Sequence, residues 1–153
     1  PPSIETLTKN EIDVHYLGYY LPWDPQECYY YATEHTGFQA NNERTEGTYS
    51  KYSSIDDRID NFHYYTTRIK FGIGRATYDA AQEIRNNKID RAEGVQLVKL
   101  YDDEFPKKYF KDFLEYISLS EDEFHYVVDS FRPPHLWGKN GNKWELKHRV
   151  FDD

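Results

Sequence analysis

The sequence predicts a mainly α, compact helical domain of about five or six helices, with an N-terminal orphan strand and a small C-terminal β-hairpin. Three observations carry this. Apolar residues recur at helical spacing through most of the chain, cap residues stand where those stripes begin, and strand-like sequence is confined to the two ends.

Ile12–Tyr20 alternates in part and is rich in β-formers, so it reads as a strand. It has no partner nearby, and a lone strand cannot satisfy its edges, which implies a sheet outside this sequence. Asp24-Pro25-Gln26-Glu27 opens a helix, with Asp24 as cap, Pro25 at the first position and Glu27 closing a capping box. That helix is expected to reach about His35 and stop at Gly37. Residues 38–55 show neither period, and a loop of this length inside a compact domain is functional or disordered. Ile59, Phe62, Thr66 and Ile69 then mark a helix ending at Gly72 and Gly74, and Ala76–Asn86 forms the next. Asp90 and Glu93 start a helix carrying Val95, Val98 and Tyr101. Pro106 opens another, with Tyr109, Phe110, Phe113, Leu114 and Ile117 as its stripe. Ser120 and Glu123 form a capping box before Phe124, Val127, Val128 and Phe131, and Pro133-Pro134 ends that helix. Leu136–Leu146 reads as a hairpin turned around Asn140-Gly141.

The 153 residues suffice for one domain with a real core. Much of the 38% hydrophobic content is aromatic, with 15 Tyr, 9 Phe and 3 Trp, so the core is expected to need partners for its hydroxyls. A net charge of −8 disfavours a general nucleic-acid binder, which needs a clustered basic surface. No membrane span or signal peptide is evident. Cys28 is the one cysteine, so neither an intrachain disulfide nor a multi-cysteine metal site can form, and a structural thiol is expected. The six histidines hold no zinc spacing, and no metal site is assigned. The absence of Met and the Pro1-Pro2 start suggest a piece of a larger enzyme, with a cytoplasmic location.

The loop Arg44-Thr45-Glu46-Gly47-Thr48-Tyr49-Ser50-Lys51 gathers two cations, a carboxylate and four hydroxyls around a glycine. These groups suit an anionic ligand, although a solvated surface loop is the more economical reading of the residues alone. Asp56, Asp57 and Asp60 could hold Mg²⁺, but acidic residues before a helix more often serve its dipole. Lys70-Phe71-Gly72-Ile73-Gly74-Arg75 places two cations about a glycine joint, where an ordinary inter-helix turn is the simpler account. Tyr29-Tyr30-Tyr31 would face different ways on a helix and so make no single stacking platform.

Read together, Trp23–Glu27, Arg44–Tyr52, Ser54–Asp57, His63–Thr66, Lys70–Arg75 and Pro134–Trp137 resemble, in order, the C-terminal portion of the N-acetyl sugar amidotransferases. The resemblance covers about residue 12 to about residue 150. It implies membership of the PP-loop ATP pyrophosphatases of bacterial surface-polysaccharide, including lipopolysaccharide, and nonulosonic-acid biosynthesis. Such an enzyme adenylates the acetamido oxygen of a sugar, and ammonia from a glutaminase partner displaces AMP to leave an acetamidino group. The cofactors implied are ATP and Mg in the parent enzyme, with none expected on this chain alone. The S-G-G-x-D-S signature of the superfamily is missing here and belongs to a preceding α/β domain, whose end residues 1–22 would be, with 23–153 the helical C-terminal domain. Carried onto this sequence, the resemblance offers Glu46, Lys51 and Lys70 as catalytic residues. Arg44, Thr45, Thr48, Ser50 and Arg75 are the substrate- or phosphate-binding ones. A non-catalytic carbohydrate-binding or subunit-docking helical module is the alternative.

Overall fold

The computed structural model describes residues 1–152. Within them the elements run α1 (Ile4–Lys9), α2 (Leu17–Tyr20), α3 (Pro25–His35), α4 (Asp60–Phe71), α5 (Arg75–Arg85), α6 (Arg91–Tyr101), α7 (Phe110–Ile117), α8 (Glu121–Ser130), β1 (Trp137–Asn140) and β2 (Lys143–Leu146). The fold is mainly α with a C-terminal antiparallel hairpin, as the sequence predicts.

Five details correct the sequence reading. Ile12–Tyr20 is not a strand: Ile12–Tyr16 has no regular structure, and Leu17–Tyr20 forms one short helical turn. No edge is available to pair with it here, and an unpaired strand has nothing to satisfy its amides. With α1 as well, the described helices number eight, beyond the five or six expected. Only half the capping box at α3 forms. The Asp24 carboxylate accepts from Gln26 N and Glu27 N, but Glu27 turns outward to Lys88. Pro106 is fully buried and α7 begins later, at Phe110. The hairpin pairs Asn140 with Lys143, so its two-residue turn is Gly141-Asn142, with Gly141 at φ +60°, as a primed turn requires.

The main core joins α4, α7, α8 and the hairpin through Ile69, Phe124, Val128, Trp137 and Leu146, with Phe105, Phe110 and Phe113 packed against them. Phe62 stacks on Phe113 at a centroid distance of 4.0 Å. The Trp137 indole solves its polar problem by donating to Ile69 O at 2.7 Å. A second contact joins α5 to α6, where Gly94 lets the helices approach beside Ala80 and Ile84. Helix α3 is held to the rest by Tyr29, which stacks on Tyr52 at 4.5 Å, while Tyr30 and Tyr31 remain exposed, consistent with three rings facing different ways.

The two glycines between α4 and α5 have different causes. Gly72 caps α4 at φ +77°, a left-handed conformation that costs a side chain about 1 kcal/mol or more. Gly74 has ordinary dihedrals but no room: a Cβ would lie 2.6 Å from the Asp102 carboxylate, which accepts from Gly74 N. Asp102 also accepts from Thr77 N and Thr77 Oγ1, and so caps α5 from the far end of α6. Arg68, buried in α4, pairs with Asp102 at 3.3 Å and Asp103 at 2.9 Å and donates to Gly72 O.

Candidate functional site

Residues 38–55 lack helix and strand yet form a defined structure. Thr45, Thr48, Ser50 and Ser53 are buried, and Thr48 is completely enclosed. Burial of so many hydroxyls requires partners, and each is found. Thr45 Oγ1 donates to Ser53 O at 2.5 Å, Thr48 Oγ1 to Asp79 at 2.6 Å, and the Ser50 and Ser53 hydroxyls bond each other at 2.7 Å. Backbone bonds from Thr45 N to Ser50 O, Asn41 N to Lys51 O and Ala76 N to Gly47 O tie the loop to itself and to α5.

The charged loop residues are also engaged. The Arg44 guanidinium grips Glu104 with two hydrogen bonds of 2.6 and 2.5 Å and stacks on Tyr101. That pair raises the Arg44 pKa. Burial pushes Glu104 upward, but the bonds from Arg44 and Gly47 N outweigh it and hold the carboxyl below its usual range. Glu46 accepts from the backbone N–H of Lys107 and Lys108 and from Asn61, and so fixes the turn ahead of α7. Arg75 bonds Asp79 at 2.8 Å and reaches Tyr64 and Ser53. On the α5 side of the loop, burial pushes the Tyr52 phenol up to about 12 and raises Glu83 as well.

These bonds leave a polar cleft of about 300 Å³ on the outer side of the loop. Its walls are Asn41, 43–46, 54–58, Asn61 and the Lys108-Tyr109 turn. Arg44, Thr45 and Glu46 therefore fall in this cleft. Thr48 and Ser50 face inward, Arg75 lies on the α5 side, and Lys51 and Lys70 are exposed elsewhere. Lys70 borders a separate apolar groove with Phe71 and Phe131.

Arg58, Lys108 and Tyr109 were missed by the sequence reading. Both cations stand over the Tyr109 ring, at 5.3 and 5.5 Å, and line the cleft. No local signal marks them, since Arg58 sits in an acidic run and Tyr109 in a helical stripe. Glu104 did leave one. Asp102-Asp103-Glu104 follows the end of α6, where the helix dipole disfavours carboxylates, so three there imply cations elsewhere in the fold. Of the acidic run before α4, Asp57 accepts from Ile59 N and Asp60 from Ser54, as helix-start residues do. Among the described residues no group of three or more His, Cys, Asp or Glu could hold a metal ion. Among the described residues no helix is long and apolar enough to cross a membrane.

No curated protein matches the chain. A family model described as "LPS biosynthesis protein WbpG-like, C-terminal domain" matches residues 46–150, which takes in most of the cleft, all of α4–α8 and the hairpin. The chain belongs to this WbpG-like family of lipopolysaccharide biosynthesis proteins, carrying its C-terminal domain.

Proposed function

We propose that this domain forms the sugar-binding wall of an ATP-dependent amidotransferase, which converts a sugar N-acetyl group to an acetamidino group with ammonia from a glutaminase partner. The observation that carries the reading is the polar cleft between Arg44–Glu46, Ser54–Arg58 and Lys108-Tyr109, built from segments that resemble the N-acetyl sugar amidotransferases. Its size and lining suit one sugar unit. Asn41, Asp56, Asp57, Arg58 and Lys108 offer both donors and acceptors to hydroxyl and amide groups, and Tyr109 offers an apolar ring. The family's place in lipopolysaccharide biosynthesis supports a saccharide substrate.

The cleft does not fit ATP. Four carboxylates, Glu43, Glu46, Asp56 and Asp57, face Arg44, Arg58 and Lys108, and Arg44 is already neutralised by Glu104. A polyphosphate would meet net repulsion there. The role of this wall is to hold the acceptor rigidly, so that its amide carbonyl keeps one orientation toward the activating chemistry. Arg44 and Glu46 act by positioning, Arg44 through the loop and Glu46 through the 107–108 turn. Lys51 and Lys70, exposed on other faces, are the cations left for phosphate contacts with a further domain.

The test uses the whole parent protein with an N-acetylated sugar, ATP and ammonium, following acetamidino product and AMP. Tyr109→Ala and Arg58→Gln are expected to raise KM for the sugar about tenfold each with an unchanged melting temperature. Lys51→Ala is expected to lower kcat by more than tenfold without altering sugar affinity. Unchanged kinetics in the first two variants would sink the cleft assignment, and absence of the acetamidino product would sink the reaction.

A further inference from the structure

The Pro134–Trp137 segment, conspicuous in the sequence, lies away from the polar cleft and borders another cavity. This second cavity, of about 240 Å³, lies between α4, Asp103, Arg132 and the hairpin. Trp137 and Trp144 stand on one hairpin face, since Trp137 pairs with Leu146 and Lys139 with Trp144. Arg132, just beyond α8, lies over both rings, 4.4 Å from Trp137 and 5.5 Å from Trp144. Its side chain is only 9% exposed.

A guanidinium this enclosed normally spends all its donors. Here Nε donates to Asp129 at 3.2 Å, while neither Nη group donates to a carboxylate or carbonyl of the described residues. The other two arginines of the cavity are occupied. Arg68 is held by Asp102, Asp103 and Gly72 O, and Arg149 by Asp152. Two unspent elements therefore border this cavity among the described residues, the outer edge of Arg132, whose nearest polar neighbour there is the Tyr65 hydroxyl, and the indole N–H of Trp144, which is buried without a partner.

We infer that this cavity is a second binding site, selective for a carboxylate group, with Arg132 as its anchor. A flat two-oxygen acceptor matches the flat two-donor edge, and the Trp144 indole N–H offers a further donor beside it. A phosphate dianion suits it less. It needs more than one free cation, and Asp103 and Glu145 on the lining oppose a second negative charge. The site is independent of the amidotransferase reading and stands or falls separately.

The three tryptophans supply both reporter and control, because Trp137 and Trp144 line the cavity and Trp23 is exposed near the N-terminus. Indole N–H resonances of the ¹⁵N-labelled full chain are followed during titration with acetate against chloride at equal ionic strength. The Trp137 and Trp144 signals are expected to shift saturably while Trp23 stays still. Affinity is expected to fall about tenfold in Arg132→Gln, and also in Arg132→Lys, which keeps charge but loses the fork. A shift shared by Trp23, no saturation, or undiminished binding in Arg132→Gln overturns the site. Should those variants not fold, the wild type decides alone: inorganic phosphate binding as tightly as acetate overturns the carboxylate assignment.

Discussion

Replacing Asp102 with alanine is expected to cost about 3–5 kcal/mol of stability. Asp102 and Arg68 have side chains 1% and 6% exposed, so neither charge has recourse to water. Without Asp102, the only carboxylate left to Arg68 is that of Asp103, which is itself largely exposed, beside its bond to Gly72 O, and Gly74 N, Thr77 N and Thr77 Oγ1 lose their acceptor at once. Three helices meet at this carboxylate, since it leaves α6, caps α5 and pairs with α4. Urea unfolding of the variant beside wild type measures the loss. Asp102→Asn keeps an acceptor for the α5 amides and is expected to lose less. A difference below about 1 kcal/mol for alanine would show that the pair is dispensable.

The second large effect is expected at Glu104, where alanine should remove about 2 kcal/mol and loosen the loop against which the candidate cleft is built. The estimate is kept modest because Arg44 and Glu104 retain 34% and 26% exposure, and solvent screens the pair. The pH dependence has a definite sign. Glu104 has a lowered pKa in the folded protein, so it contributes stability above the ordinary glutamate value of about 4.3 and loses it as pH falls through the folded value. The stability gap between wild type and Glu104→Gln should therefore be full at neutral pH and shrink in acid below about pH 4. A gap that stays constant into strong acid would contradict this account.

The helices from α3 to α8 were legible because their stripes and caps are local. Asp24, Asp90 and Ser120 each bond the amides their sequence context predicts, and Ser120 with Glu123 completes the full capping box. What was not legible was longer in range. Nothing near Arg44 announces Glu104, and nothing near Thr48 announces Asp79, because those pairs are set by how α5 and α6 fold back on the loop. Composition made the loop look like a surface that waits for a ligand. Its hydroxyls are mostly spent inward, and the open groups of the cleft come instead from Arg58 and the Lys108-Tyr109 turn. The N-terminal strand failed for the opposite reason. Its β-forming residues are real, but strand structure is a property of pairs, and no partner strand lies within reach of Ile12–Tyr20.

The burial of Thr45 and Thr48 also bears on where a protease could cut. Cleavage needs several residues to peel away into an extended shape, and irregular segments are usually the first to yield. Here the irregular stretch 41–53 is stitched to α5, to the turn ahead of α7 and to Glu104, so peeling it away means breaking all of these ties together. Residues 1–22 have no buried side chain, and so the weak point of the chain lies there, ahead of Trp23. Limited digestion would trim the molecule to a resistant body and leave its longest loop intact.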